Sequence, residues 1–171
     1  MKKAFLILAA IVLAGFTSNV MAQAVGTAAP TAAGAKIVTA LTLTETSALH
    51  FGTMTIPSSA ASVLLTSAGA RSIASGTIIL LAQAPVATTA AYNVTGSATS
   101  SYLISLPSSV TIISGGNSMT VNAFTSSKVS NQGSLDGSGL DSFTVGATLN
   151  LANAQPAGVY AGTFNVTIAY N

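Results

Sequence analysis

The chain contains no cysteine, no tryptophan and a single histidine, and its 171 residues include only five basic and three acidic side chains. Each absence removes a class of function. Without cysteine there is no disulfide, no cysteine-linked lipid anchor and no thiolate metal site. His50 alone cannot supply the roughly four nitrogen or sulfur ligands of structural zinc. Alternation with Leu49 and Phe51 turns it toward solvent or an edge. The many serines lack a second candidate base, and no Gly-x-Ser-x-Gly elbow occurs. Glu45, Asp136 and Asp141 are the only carboxylates, and Asp136-Gly-Ser-Gly-Leu-Asp141 offers fewer acidic ligands than a calcium loop normally does. The expectation is a protein that is not an enzyme and uses no cofactor and no metal.

Charge is scarce in a second sense. Lys2 and Lys3 stand at the head of an apolar run over residues 4–16, followed by Val20-Met21-Ala22. A basic start, an apolar stretch too short to span a bilayer comfortably and a small-residue exit predict a cleavable secretory signal over residues 1–22. Cleavage after Ala22, or two residues later, leaves Lys36, Arg71 and Lys128 against Glu45, Asp136 and Asp141. Three minus three is zero, so the exported chain carries no electrostatic footprint for nucleic acid. A domain usually carries about a quarter charged residues, and near-zero net charge promotes association. The sequence therefore predicts export through the inner membrane into a disulfide-permissive compartment, and a chain suited to life in an assembly.

What the chain has in abundance is short apolar runs between clusters of Gly, Pro, Ser and Asn, without a helical period. That pattern predicts an all-β sandwich of short antiparallel strands. The N-terminal residues 23–35 are rich in Ala, Gly and Thr and contain Pro30, which predicts a flexible arm before one domain over residues 36–171. Strands are expected at residues 36–44, 49–56, 63–66, 76–82, 91–96, 102–106, 110–113, 119–124 and 143–151, with a long loop over 126–140. At the C-terminus Phe164, Val166, Ile168 and Tyr170 alternate with Thr163, Asn165, Thr167 and Ala169, placing four large apolar groups on one face of a last strand.

That last segment begins at Gly158, fourteen residues from the end, and closes with a penultimate tyrosine. It resembles the C-terminal signature of subunits assembled by a periplasmic chaperone and an outer-membrane usher into bacterial pili. Leu49-His-Phe-Gly52, Tyr92-Asn-Val-Thr-Gly96, Tyr102-Leu-Ile-Ser-Leu-Pro107, Phe143-Thr-Val-Gly146 and Gly158-Val-Tyr-Ala-Gly162 occur in this order. The set is similar to a family of secreted bacterial domains of unknown function, whose members look like fimbrial (pilin) or spore-coat-type subunits. The chain departs from many pilus subunits in lacking a disulfide. The resemblance implies an immunoglobulin-like, pilin-like sandwich and a structural role at the cell surface or in an extracellular filament, reached through the periplasm. It also implies self-assembly or related surface subunits as partners, and no catalytic residues.

In that mechanism one subunit lends a strand to a groove in the next by β-strand addition. Gly158, Phe164, Val166, Ile168 and Tyr170 are the expected contacts for a subunit or chaperone. Two segments compete as donor. The arm over residues 23–35 has small side chains, whereas Ile37, Thr39, Leu41 and Leu43 form a better alternating row that reads equally as the domain's own first strand. Two further functions belong to other classes: a carbohydrate-binding adhesin and an outer-membrane β-barrel. The first wants an exposed aromatic platform, but there is no Trp and Tyr92, Tyr102, Tyr160 and Tyr170 all stand in core-like alternation. The second wants strands of roughly 9–11 residues with aromatic girdles, and the runs here are mostly shorter.

Overall fold

The computed structural model describes residues 28–171. The predicted signal over residues 1–22 and the first residues of the arm, 23–27, lie outside the described residues. The chain divides into two units, Met1–Lys36 and Ile37–Asn171. In the first, residues 28–36 carry no helix or strand and are exposed.

The second unit is all-β. Its strands are β1 (Thr42–Ser47), β2 (His50–Phe51), β3 (Ala61–Leu65), β4 (Arg71–Ser75), β5 (Ala87–Thr88), β6 (Ala90–Thr95), β7 (Ser101–Ser105), β8 (Ser109–Ser114), β9 (Asn117–Ser126), β10 (Gln132–Ser134), β11 (Leu140–Leu151) and β12 (Thr167–Tyr170), with one 3-10 turn at Val129–Asn131. Every pairing is antiparallel. One sheet runs β1-β6-β11-β3-β4, with β9 on the other edge of β11 and β8 beyond β9. A three-stranded sheet runs β10-β7-β12, and β2 pairs with β5.

β11 is the spine, because its two halves serve different neighbours. Residues 140–145 pair with β6, and residues 147–151 pair with β3. Buried side chains collect into two clusters accordingly. Val63, Leu65, Val121 and Leu149 centre the first, and Tyr92, Val94, Tyr102, Ile104, Phe143 and Val145 centre the second. Gly146 marks the changeover, where the β9 register shifts between Gly146 and Thr148. A Cβ at Gly146 would collide with the backbone of Leu65, Thr66 and Ser67. Only glycine allows two strands to approach so closely there.

Several expected strands differ from the observed ones, each for a local reason. The first strand, expected at 36–44, begins at Thr42. Its pairing with β6 opens at Thr42 opposite Thr95, and among the described residues no strand pairs with residues 36–41. The strand expected at 49–56 shrinks to His50–Phe51 because Gly52 adopts φ +78°, leaving an isolated bridge between Met54 and Leu80. The run 76–82 forms no strand beyond that bridge. The strand there is instead the Ser-rich Arg71–Ser75, which stops at Gly76 (φ +77°). The loop expected over 126–140 contains β10, whose Gly133 lies against the Tyr102 ring.

Candidate functional site

The C-terminal strand β12 ends the three-stranded sheet. β12 pairs with β7 through Thr167↔Ser105, Ile168↔Ile104, Ala169↔Leu103 and Tyr170↔Tyr102. The Asn171 N–H donates to Ser101 O at 3.2 Å, which fixes the phase of the ladder. Bonded pairs in an antiparallel ladder recur every second residue. Asn171, Ala169 and Thr167 therefore turn their backbone groups toward β7, and Tyr170, Ile168 and Val166 turn theirs away. Among the described residues no strand pairs with that outward edge. Continuing the ladder would set Pro107 opposite Asn165, and proline has no N–H to give. The ladder accordingly stops at Thr167, shorter than the alternation over 163–170 predicts.

The side chains nevertheless continue as a strand. Phe164, Val166, Ile168 and Tyr170 are all half-buried against the second cluster, together with Leu106 and Phe124. The Phe164 ring meets Phe124 with centroids 4.8 Å apart. Between the bridge Ile113↔Ala161 and Thr167, residues 162–166 thus present an apolar inner face without a ladder of their own. Gly158 is exposed, and a Cβ there would press on the Ser114 hydroxyl.

The row Ile37, Thr39, Leu41 and Leu43 is divided. Leu43 lies in β1 opposite Val94, and both Leu41 and Leu43 pack on the rim of the same second cluster as the C-terminal row. Ile37 is 96% exposed, and Thr39 is exposed as well. Among the described residues β1 is itself an edge strand, with β6 as its one neighbour in the sheet. The two edges are tied at one end. The Tyr170 hydroxyl donates to Thr39 O at 2.6 Å and accepts from the Ser97 N–H at 2.7 Å.

Two polar centres that the sequence pattern did not reveal brace the fold, one beside this edge and one at the β4 edge of the large sheet. Asp141 on β11 accepts from the Tyr102 hydroxyl on β7 at 2.8 Å and from Lys128 Nζ at 2.7 Å, linking the two sheets. Burial alone would raise the Asp141 pKa. The hydrogen bonds from Lys128, Tyr102 and the Ser142 N–H outweigh it and lower the carboxyl below its usual value. Burial, then the Asp141 hydrogen bond and charge, push the Tyr102 phenol up. Tyr92 stacks on Phe143, its cross-strand neighbour, at 5.2 Å. Burial, then the Glu45 charge, push Tyr92 up to about 12. Arg71 is the second centre. Its guanidinium donates to the carbonyls of Phe51, Thr53 and Leu81 at 2.9, 3.2 and 2.7 Å.

The remaining chemistry-bearing residues are local. His50 is exposed, and its Nδ1 accepts from the Gly52 N–H at 2.8 Å. Asp136 accepts from the N–H groups of Ser138 and Leu140, closing its own turn. Among the described residues, no three His, Asp or Glu side chains converge. Of the four tyrosines, Tyr92 and Tyr102 are buried and Tyr160 and Tyr170 half-buried.

Neither the curated proteins nor the solved structures contain a match to this chain. Residues 41–170 match a family profile, and those limits run from the first rim residue before β1 to the last residue of β12. By that match the chain belongs to the family described as a domain of unknown function, DUF4402.

Proposed function

We propose that this protein is a structural subunit of an extracellular pilus-like, fimbria-like or surface-coat assembly, joined to its neighbours by β-strand addition along the open edge of β12. It is exported with a cleaved signal, crosses the periplasm with a chaperone, and is delivered to the surface through an outer-membrane usher. The sandwich is of the immunoglobulin-like, pilin-like kind.

One observation carries the reading. β12 is an edge strand whose inner face is large and apolar, and whose outward N–H and C=O groups meet no strand among the described residues. An exposed edge of this kind is a template for another chain. An added strand would bond to Val166, Ile168 and Tyr170 and would cover Phe164 and Val166 where β7 has turned away at Pro107. The scarcity of charge points the same way, since the exported chain balances three cations against three anions and has little ionic surface to keep copies apart. The burial of Tyr92 and Tyr102 leaves little aromatic surface for sugar stacking. Electron microscopy of cells with and without the protein tests the proposal. Surface filaments or a coat layer that vanish with the gene and return with it are expected; identical surfaces would overturn it.

A further inference from the structure

The Tyr170 hydroxyl stands at the meeting point of three segments. It closes the open strand β12, it receives the Ser97 N–H from the turn after β6, and it donates to Thr39, just ahead of β1. Residues 37–40 are exposed and belong to no strand. Among the described residues, the Tyr170–Thr39 bond is the one hydrogen bond recorded for that stretch. Two residues later Leu41 reaches the rim of the second cluster. A would-be Cβ on Gly96 would collide with both the Tyr170 hydroxyl and Leu41, so the three are packed together.

We infer that Tyr170 is a staple that holds the root of the N-terminal arm against the end of the open strand, and that adding a strand along β12 lets the root go. The second half rests on the strand-addition reading. Tyr170 is among the residues whose backbone groups face the open edge, so a strand pairing with all of β12 must reach it. One side-chain bond to a backbone carbonyl is weak beside the several ladder bonds and apolar contacts that an added strand brings. The root is thus secured in the lone subunit and freed as the edge fills.

The absence of cysteine makes a clean test available, because Ile37→Cys at a 96% exposed position gives a unique thiol for a nitroxide label. In dilute protein the label should show restricted motion. Tyr170→Phe, which keeps the ring and removes only the hydroxyl, should convert the spectrum to that of a free chain. Tyr160→Phe, which removes a hydroxyl bonded to Gln155 and Pro156, should leave it restricted. Freely mobile label with Tyr170 intact overturns the staple even if the Phe variant fails to fold, as does an unchanged restricted spectrum in a folded Tyr170→Phe. Light scattering then reads the release. Tyr170→Phe should assemble at an about fivefold lower protein concentration, the worth of one net hydrogen bond. Unchanged or poorer assembly with the root freed overturns the coupling. If no chain assembles at any concentration, the strand-addition reading falls, and the spectra still decide whether the hydroxyl holds the root.

Discussion

Two sheet edges in this domain meet solvent on very different terms. β4 ends the large sheet with Arg71-Ser-Ile-Ala-Ser75, in which all but Arg71 are exposed. Its arginine is bonded to three loop carbonyls, which gather residues 51–53 and 81 around it. β12 ends the small sheet with a row of large apolar groups over a buried cluster, and among the described residues nothing pairs with its continuation at 162–166 after the Ala161 bridge. Short, polar, cation-bearing edges are how sheets avoid pairing with other chains. Both edge strands are short, but β4 carries a cation and polar side chains, and β12 carries no charge. The contrast separates a polar strand end from an apolar one, and the proposed strand addition would use the second.

The sharpest way to break both regions at once is Gly146→Val. The spine cannot switch partners with a side chain pressed into Leu65, Thr66 and Ser67. A loss of about 4 kcal/mol or outright misfolding is expected, read by chemical denaturation of the purified protein. Gly34→Val, in the exposed segment 28–36, should leave the unfolding curve where it was.

Next in size is an edge-specific pair. Ile168→Asp places a charge in a half-buried apolar row and should cost about 3 kcal/mol, with loss of the protein from the periplasm and of any assembly. Ala74→Asp on the exposed face of β4 should stay within about 0.5 kcal/mol and assemble normally. Equal effects at the two edges would erase the comparison.

Arg71→Met should cost about 2 kcal/mol by depriving three carbonyls of their donor. It should also turn the quiet edge into a sticky one, seen as aggregation at lower protein concentration than the parent and persisting when Ile168→Asp is added.

The smallest effect is acidic. The folded pKa of Asp141 lies below its usual 3.8. Its contribution is therefore fully present above the unfolded value and is lost as pH falls from there through the lower folded one. Asp141→Asn keeps an acceptor for Tyr102 but not the ion pair. It should cost about 1 kcal/mol or less near neutral pH and flatten that acid limb. A thermal-melt series across the acid range checks both.

Much of this was legible in the residues. Alternation located β3, β6, β7, β8, β9 and β11, because inward Val, Leu, Tyr and Phe at every second position leave a period that sequence shows directly. It also picked out Phe164, Val166, Ile168 and Tyr170 as one face. What sequence could not show is pairing. β4 reads as a polar loop, since Arg71, Ser72 and Ser75 carry no apolar period and are held only by β3 beside them. The 76–82 run reads as a strand by its isoleucines and leucines, yet it has only the single bridge to Met54. The early stop of the β7–β12 ladder depends on Pro107, sixty residues before Thr167. That proline is plain in the sequence, but its effect follows from a register that only the folded chain defines. The Tyr102–Asp141–Lys128 link was hidden for the same reason.

Residue-resolved hydrogen exchange along β12 tests the central claim most directly, because the open edge predicts an alternating pattern. In the isolated subunit the amides of Thr167 and Ala169, bonded to β7, should be protected, and those of Val166 and Ile168 should exchange as freely as a loop. In the assembled material all four should be protected. Protection of Val166 and Ile168 in the dilute subunit would mean the edge is already filled, and their free exchange in the assembly would mean that copies join elsewhere.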